Sequence, residues 1–397
     1  MKKIIVVSIS LLICSSALKA KQITKLTEEA RISVITMGPD KDELYSAFGH
    51  NAIRVFDPAL GIDIAYNYGT FNYNDPEFYI NFTKGYLLYF LSVGEFSQLM
   101  RFYEYYDRFV HEQDLDFSPA EVQRVYEYLE NNLQPDNASY FYDYFYDNCA
   151  TRIRDVFVDV FSDSIRFDLE FAGDNLTVRA LTDLYLEDKF PWGDLGIDIC
   201  LGLPMDSELT AYDFMFLPDF IESSFDHAFL LHESGVERPL VNTSRILNQS
   251  SSVPVGTFFT PLLVFSFLLF IGTVITWLQW RLGIRGKWLD FSWFFILGLV
   301  GLLLLGLWVF TDHAAASRNY NLLWAFPLHA FAAFLIFKPS SIRKKYFSFV
   351  GWGLLVLILI WDFLPQDLHY ALIPITIFTM MRAFYIGHSY AYNHENI

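Results

Sequence analysis

Cysteine is scarce in this chain of 397 residues: there are three, and only Cys149 and Cys200 lie beyond the N-terminal apolar segment. Neither belongs to a paired-cysteine motif, and His111, His227 and His232 show no HExxH spacing, so no metal site is expected. Phosphate loops and dinucleotide fingerprints are also missing, and no cofactor is expected. There is no internal repeat and no low-complexity tract. Basic residues are outnumbered, 28 against 45 acidic ones. The imbalance is uneven, since residues 1–257 hold 40 acids against 19 bases. So acidic a segment argues against nucleic acid as a partner and against electrostatic docking on anionic lipid.

What is present begins with Lys2 and Lys3, an apolar run from Ile4 to Ile13 and small residues at Ser15, Ser16, Ala17 and Ala20. This pattern reads as a signal peptide over residues 1–20, cleaved after Ala17 or Ala20. A lipid-modified Cys14 competes, but the bulky Ile13 fits a lipoprotein cleavage site poorly. Residues 258–397 form an apolar domain with stretches near 258–280, 291–311, 321–337, 346–364 and 369–387, which predicts about five transmembrane helices, the last two interrupted by Pro365 and Pro374. Arg281, Arg285 and Lys287 fall in the first loop and Lys338, Arg343, Lys344 and Lys345 in the third, whereas the second has only Arg318 and the fourth none. The positive-inside rule makes the first and third loops cytoplasmic and puts everything before Phe258 outside. The expectation is a multi-pass protein of the bacterial cytoplasmic membrane, with an exported domain over 21–250 and a linker at 251–257.

Within the exported part, Arg31 to Met37 alternates like a strand, and Gly49 to Phe56 with Ile62 to Tyr68 read as a strand pair. Asp75-Pro76-Glu77 starts a short helix, then come a strand from Tyr86 to Val93 and a helix from Phe96 to Tyr106. Ser118-Pro119-Ala120-Glu121 is a capping box that starts a helix reaching about Leu133. Tyr140 to Tyr146 is an aromatic strand or turn leading into a helix from Cys149 to about Phe161. The region 164–250 is mixed and loop-rich, with one helix near 210–225 and a Ser/Thr/Asn linker at 242–252.

Cys149 follows the polar turn Asp147-Asn148 and opens that helical pattern. Amides and the dipole at a helix N-terminus favour the thiolate, which is the nucleophile. The best placed histidine is His50, on the strand that begins at Gly49. Cys149 would attack a carbonyl, His50 would take its proton, and a third group would hold the imidazole. Asp63 and Asn67 on the neighbouring strand are candidates for that group, with Asn51 and Asp57 behind them. The Cys149 amide, with Asn148 or another nearby donor, would form an oxyanion hole. Arg152, one turn from the thiol, would meet a phosphate or carboxylate, although such arginines are more often structural. A Cys149–Cys200 disulfide is the competing reading, natural outside the cytoplasm. A histidine strand before a cysteine helix looks like a circularly permuted papain-like fold, an α+β thiol domain; permutation keeps a site that depends on spatial placement.

A second polar cluster, Thr311-Asp312-His313 and Arg318 to Trp324, falls in the outward loop between the second and third apolar stretches. Asp312, His313 and Asn321 there would present a lipid headgroup to the Cys149 domain, or would cap two helix ends at the interface.

Phe48-Gly49-His50-Asn51-Ala52-Ile53-Arg54-Val55, Tyr66 to Phe71, Arg108-Phe109-Val110 with Gln113-Asp114-Leu115, and Asp147 to Asp155 resemble the exported domain of the Lnb family, bacterial lipoprotein N-acyltransferases and their relatives. The resemblance continues through Phe216-Leu217-Pro218, Asp312-His313 and Asn321-Leu322-Leu323-Trp324. It implies a transacylation at the membrane surface, in which Cys149 is acylated as a thioester, His50 is the base, and an acyl chain moves from a lipoprotein's glycerol to its N-terminal cysteine amine. A phospholipid donor would use the same residues. Membrane lipid and lipoprotein are therefore the expected partners. The alternatives are a cell-envelope cysteine peptidase or amidase of NlpC/P60 type, and a non-enzymatic sensor or scaffold.

Overall fold

The computed structural model describes residues 23–40, 43–173, 176–231, 235–251, 257–284 and 286–389. The signal segment and most of the 251–257 linker lie outside them. Strands β1 (Arg31–Met37), β2 (His50–Asp57) and β3 (Ile62–Thr70) lead to helix α1 (Phe78–Lys84), β4 (Leu88–Glu95), α2 (Phe96–Tyr105), β5 (Val110–Leu115), α3 (Pro119–Asn132), β6 (Ser139–Phe141) and α4 (Cys149–Phe161). After them come β7 (Ile165–Phe167), α5 (Val178–Leu186), α6 (Pro191–Cys200), α7 (Pro218–Asp226), β8 (Ala228–Leu231), β9 (Glu237–Pro239) and β10 (Val241–Asn248).

The main sheet is antiparallel with order β10-β5-β1-β2-β3-β4-β6. Strand alternation sends Ile32, Val34, Ile53, Val55, Tyr66 and Tyr68 into a core shared with α3 and α4, while Ile35, Met37, Ala52 and Ala65 face Phe96 and Tyr103 of α2. Both faces are thus covered, which is why β1 is buried along nearly its whole length. The stretch expected to be a linker at 242–252 is instead mostly the edge strand β10, which pairs with β5 from Val241 to Asn248. Its Ser and Thr residues suggested a loop because an edge strand keeps one side in solvent. Helices α5 and α6 were not anticipated; α6 is short and apolar, and its Leu195 packs with the membrane domain.

Helix α4 forms where expected, and the reason is local. The Asn148 side chain accepts from the N–H groups of Ala150 (2.8 Å) and Thr151 (3.0 Å), while the Asn148 N–H donates to Thr151 Oγ1 (2.8 Å). That reciprocal cap satisfies donors a helix start leaves orphaned. Ala150, Ile153, Val156, Phe157 and Phe161 then face the sheet. Truncating the fully buried Phe157 to alanine would cost about 3–5 kcal/mol.

The membrane half contains α8 (Pro261–Leu282), α9 (Lys287–Phe310), α10 (His329–Ala332), α11 (Ser341–Leu359) and α12 (Leu372–Ser389). Among the described residues, α8 and α9 are long and apolar enough to cross a bilayer. The third expected span, 321–337, is not one helix: it is broken into short turns around Pro327 and the four-residue α10. It lies against α9, where a Cβ at Gly298 or Gly301 would stand 1.9 Å from the Ala330 nitrogen or the Ala325 oxygen. Such close backbone approach through small residues is how broken segments are held at membrane depth. Two helix ends that touch the exported domain are the start of α8, where Trp192 donates to the Phe259 carbonyl (2.7 Å), and the end of α9, where the Asp312 N–H donates to the Lys84 carbonyl (2.8 Å). Both are outer ends in the orientation derived from the loop charges.

Candidate functional site

Cys149 is the first residue of α4, and the backbone N–H groups of Asn51, Ala150 and Cys149 itself lie close enough to its sulfur to favour the thiolate. Asn51 directly follows His50, so the first turn of α4 is pinned to the start of β2. Both Cys149 and His50 remain partly open to solvent. Strand β2 pairs with β3 from Ile53 opposite Tyr66 to Asp57 opposite Ile62, so Asn67 directly follows the last residue of β3 in that pairing, beside the start of β2. The Asn67 side chain hydrogen-bonds the His50 imidazole.

Asn51 and Asn148 bind a third segment. Asn51 Nδ2 donates to Thr36 Oγ1 (3.0 Å) and to the Pro218 carbonyl (3.2 Å), and Asn148 Nδ2 donates to the carbonyls of Phe216 (2.8 Å) and Tyr144 (2.9 Å). Phe216-Leu217-Pro218 therefore staples the histidine strand to the cysteine helix. Asn148 has both its donors and its acceptor engaged in this way, which makes it a structural cap.

Burial governs the electrostatics. It pushes the Cys149 thiol up to about 11, against the pull of the three backbone N–H groups and the Tyr142 hydroxyl. Burial also pulls His50 down to about 4; the Arg108 charge works in the same direction and the Asn67 hydrogen bond opposes them. At the helix start, then, two effects oppose each other at Cys149: the backbone donors favour the thiolate, and desolvation of a charged sulfur, the larger effect, disfavours it.

Asp63 does not orient the imidazole. Its carboxylate is paired with Arg54 (2.7 and 2.9 Å), which also reaches Glu112 (2.9 Å). Asp57 accepts from Thr27 and from the turn amides of Ala59 and Leu60. Arg152 is bound by Asp147 and lies over the Tyr140 ring, 4.1 Å from its centre. Cys200 is a free thiol at the end of α6, packed against the membrane core, and no disulfide joins it to Cys149.

The aromatic run before Cys149 contains groups that sequence reasoning treated only as core or groove. The Tyr142 hydroxyl hydrogen-bonds the Cys149 sulfur. Tyr140 is buried, and its hydroxyl has no hydrogen-bond partner among the described residues. Between them is Gly69, at φ +88°, where a Cβ would lie 3.4 Å from the Tyr142 ring, 3.5 Å from Cys149 Cβ and 3.9 Å from the Tyr140 hydroxyl. A glycine there tolerates the left-handed backbone and leaves a notch beside the sulfur. The only sequence signals were the glycine inside a strand pattern and the tyrosine spacing.

Asp312, His313 and Asn321 stand at the junction of the two halves. His313 Nε2 is 3.0 Å from the Phe82 carbonyl, and Tyr86 hydrogen-bonds the Asp312 carboxylate. Asn321 is fully buried; its Nδ2 donates to the carbonyls of Asp198 (2.9 Å) and Ile199 (3.3 Å), and its Oδ1 accepts from Trp324 (2.8 Å). These contacts fasten α1 and α6 to the membrane domain. Nearby, ligand-type atoms of Asp194, Asp198 and His369 come within 4.8 Å of one another. His369 Nδ1 accepts the Ala371 N–H (3.0 Å), so Nε2 carries the proton and faces Asp194 (3.4 Å), while Asp198 is held by Arg179. A histidine so fixed is a hydrogen-bond donor to a carboxylate, since a metal ligand would need its other nitrogen to donate.

A mixed α/β domain carrying a half-buried cysteine, histidine and asparagine, fastened by two of its helices to a helical membrane domain, defines a membrane-associated thiol protein. Residues 23–183 match the family model for the Lnb N-terminal periplasmic domain, and residues 253–393 match that for the Lnb transmembrane domain. The chain belongs to the Lnb family and is an inner-membrane protein with its N-terminal domain in the periplasm. Neither a curated protein nor a solved structure matches it.

Proposed function

We propose that this protein is a thiol acyltransferase of lipoprotein processing, with Cys149 as nucleophile, His50 as base and Asn67 as the group that orients it. The carrying observation is the Asn51 N–H on the Cys149 sulfur, which joins the histidine strand to the cysteine helix. In the first half-reaction, the sulfur attacks the ester carbonyl of a lipoprotein's acylated glycerol while its proton passes to His50. The tetrahedral oxyanion is held by the Cys149 N–H and the Tyr140 O–H. The C–O bond breaks, the glycerol oxygen takes the proton from His50, and a thioester remains on Cys149.

In the second half-reaction, the amine of the lipoprotein's N-terminal cysteine attacks the thioester and yields a proton through His50 to the departing sulfur. An amide forms and free thiol is restored. No redox partner is required, and no residue in the scheme needs a metal. The order of histidine strand before cysteine helix fits a permuted papain-like domain, and family membership supports a lipoprotein substrate. A scaffold built on a Cys149–Cys200 bridge fits less well, because both thiols are free.

The test is mass spectrometry of a model lipoprotein's N-terminal peptide, co-expressed with wild type, Cys149→Ser or His50→Ala in a host lacking other N-acylation. An acyl chain moved from glycerol to the amine only with wild type is expected. A free amine in all three, with the proteins expressed and folded, would remove this substrate and favour an envelope peptidase or amidase.

A further inference from the structure

Helix α1 is short, and its apolar side chains are turned outward: Tyr79 is 71% exposed, Ile80 56% and Phe82 41%. In a protein standing in water such a patch would be a liability. Its position accounts for it. Lys84 and Phe82 at the end of α1 accept hydrogen bonds from Asp312 and His313, immediately beyond the outer end of α9, and Gly85 packs on the Asp312 backbone so tightly that a Cβ would stand 2.9 Å from it. The last residues of α9, Trp308, Val309 and Phe310, are themselves exposed. The apolar surface of α1 thus continues that of a membrane-spanning helix at the level where aromatic side chains meet lipid headgroups.

From this point, rings run inward without a break. Phe82 lies 6.2 Å from Phe78, Phe78 stacks on Phe71 (5.5 Å), Phe71 stacks on Tyr89 (4.8 Å), and Tyr89 meets Tyr142 (4.5 Å), whose hydroxyl is on the Cys149 sulfur. A core needs no such file leading from a membrane-level helix to a nucleophile.

We propose that α1 dips into the outer leaflet and that the rings from Phe82 to Tyr142 form the wall along which a long acyl chain of a membrane glycerolipid passes from the bilayer to Cys149. The chain lies against ring faces, and its ester end reaches the sulfur. This rests on the acyl-transfer reading for its purpose, but the lipid contact itself does not require catalysis.

The full-length Cys149→Ser protein in nanodiscs is irradiated with a phospholipid bearing a diazirine in its acyl tail, and the adducts are mapped by mass spectrometry. Adducts on peptides covering residues 71–89, beside those on the membrane helices, are expected. Adducts confined to α8, α9, α11 and α12 would overturn the proposal. Ile80→Asp, whose side chain is outside the ring wall, should lower lipid acylation of Cys149 about tenfold or more, the size expected for losing one apolar side chain's transfer into lipid, while a small water-soluble thiol reagent labels Cys149 at an unchanged rate. Unchanged lipid acylation in that variant would also overturn it. Crosslinks at 71–89 in a wild-type protein that never forms an acyl-thioester would refute the catalytic reading and leave the lipid path standing.

Discussion

Asn51 and Asn148 donate their side-chain amides to the Pro218 and Phe216 carbonyls of one short segment, so the residue after His50 and the residue before Cys149 share an anchor. The relative position of His50 and Cys149 is therefore set by backbone carbonyls far along the chain. Replacing Asn148 with alanine removes a helix cap and leaves the buried Phe216 carbonyl unpaired. The expected loss is about 2–4 kcal/mol, read as a lower thermal midpoint of the full-length protein, with slower thiol labelling of Cys149. An unchanged midpoint would show that the anchor is dispensable.

Asn67 and Asp63 stand on the same strand but in different networks. Asn67→Ala should reduce acylation of Cys149 at least about tenfold, short of the ~10⁴ lost when a charged triad member is neutralised. Asp63→Asn should leave the rate near wild type and weaken only its pairing with Arg54. The reverse ranking in single-turnover kinetics would move the orienting role to Asp63.

The two site groups have pKa values pushed apart, His50 down to about 4 and Cys149 up to about 11. A reaction that starts from neutral imidazole and neutral thiol keeps its acylation rate nearly flat between these values, with an acid limb near 4 in place of the ordinary histidine 6.5. The amine acceptor, with a pKa of about 8, should make the second half-reaction alone rise with pH up to that value. Stability has its own sign. The unfolded chain protonates His50 below about 6.5 and the native one does not, so native stability falls as the pH drops from 6.5 toward 4, by about 3 kcal/mol at most from this group. An acid limb of acylation near 6.5 would mean that His50 is solvated in the working enzyme.

Tyr140 and Tyr142 should separate in their effects. Tyr140→Phe removes the unpaired hydroxyl and should lower acylation about 10²-fold with little change in Cys149 labelling by a small reagent. Tyr142→Phe removes a hydrogen bond that favours the thiolate, so it should push the thiol higher still and slow alkylation at alkaline pH. Equal effects of both variants on labelling would argue against an oxyanion role for Tyr140.

Asn321 joins the two halves through the carbonyls of Asp198 and Ile199. Asn321→Leu removes the side-chain donor to the Asp198 carbonyl, while Ile199 keeps the Asn319 amide (2.8 Å), at a cost of about 1–3 kcal/mol, and limited proteolysis should then cut more readily around residues 198–206. Proteolysis identical to wild type would mean that Asn319, which donates to the Ile199 (2.8 Å) and Cys200 (3.2 Å) carbonyls, and Gln366, which donates to the Leu201 carbonyl (3.1 Å), hold the junction unaided.

The strands β1 to β4, α2, α3 and α4 could be read from the chain because each carries a local signal: alternation for the strands, the Ser118 and Asn148 caps for two of the helices. The edge strand β10, helix α6 and the broken span 321–337 could not. Polar alternation in Val241–Asn248 looks like a linker until β5 supplies its partner, and an apolar stretch interrupted by Pro327 looks like a span until Gly298 and Gly301 are seen to admit its backbone. Among the site residues, Cys149 and His50 were visible through their settings, whereas the choice between Asp63 and Asn67 required the strand register and the competing claim of Arg54.

The sequence alone indicated the compartment and the orientation in the membrane and singled out Cys149 and His50 as candidates, because loop charges and helix caps act over a few neighbouring residues. Only the tertiary structure decided the burial of Cys149 and His50, the tyrosines around the sulfur and the seating of α1 at the end of α9. Desolvation and close packing depend on groups brought together from distant parts of the chain, and no local pattern records them.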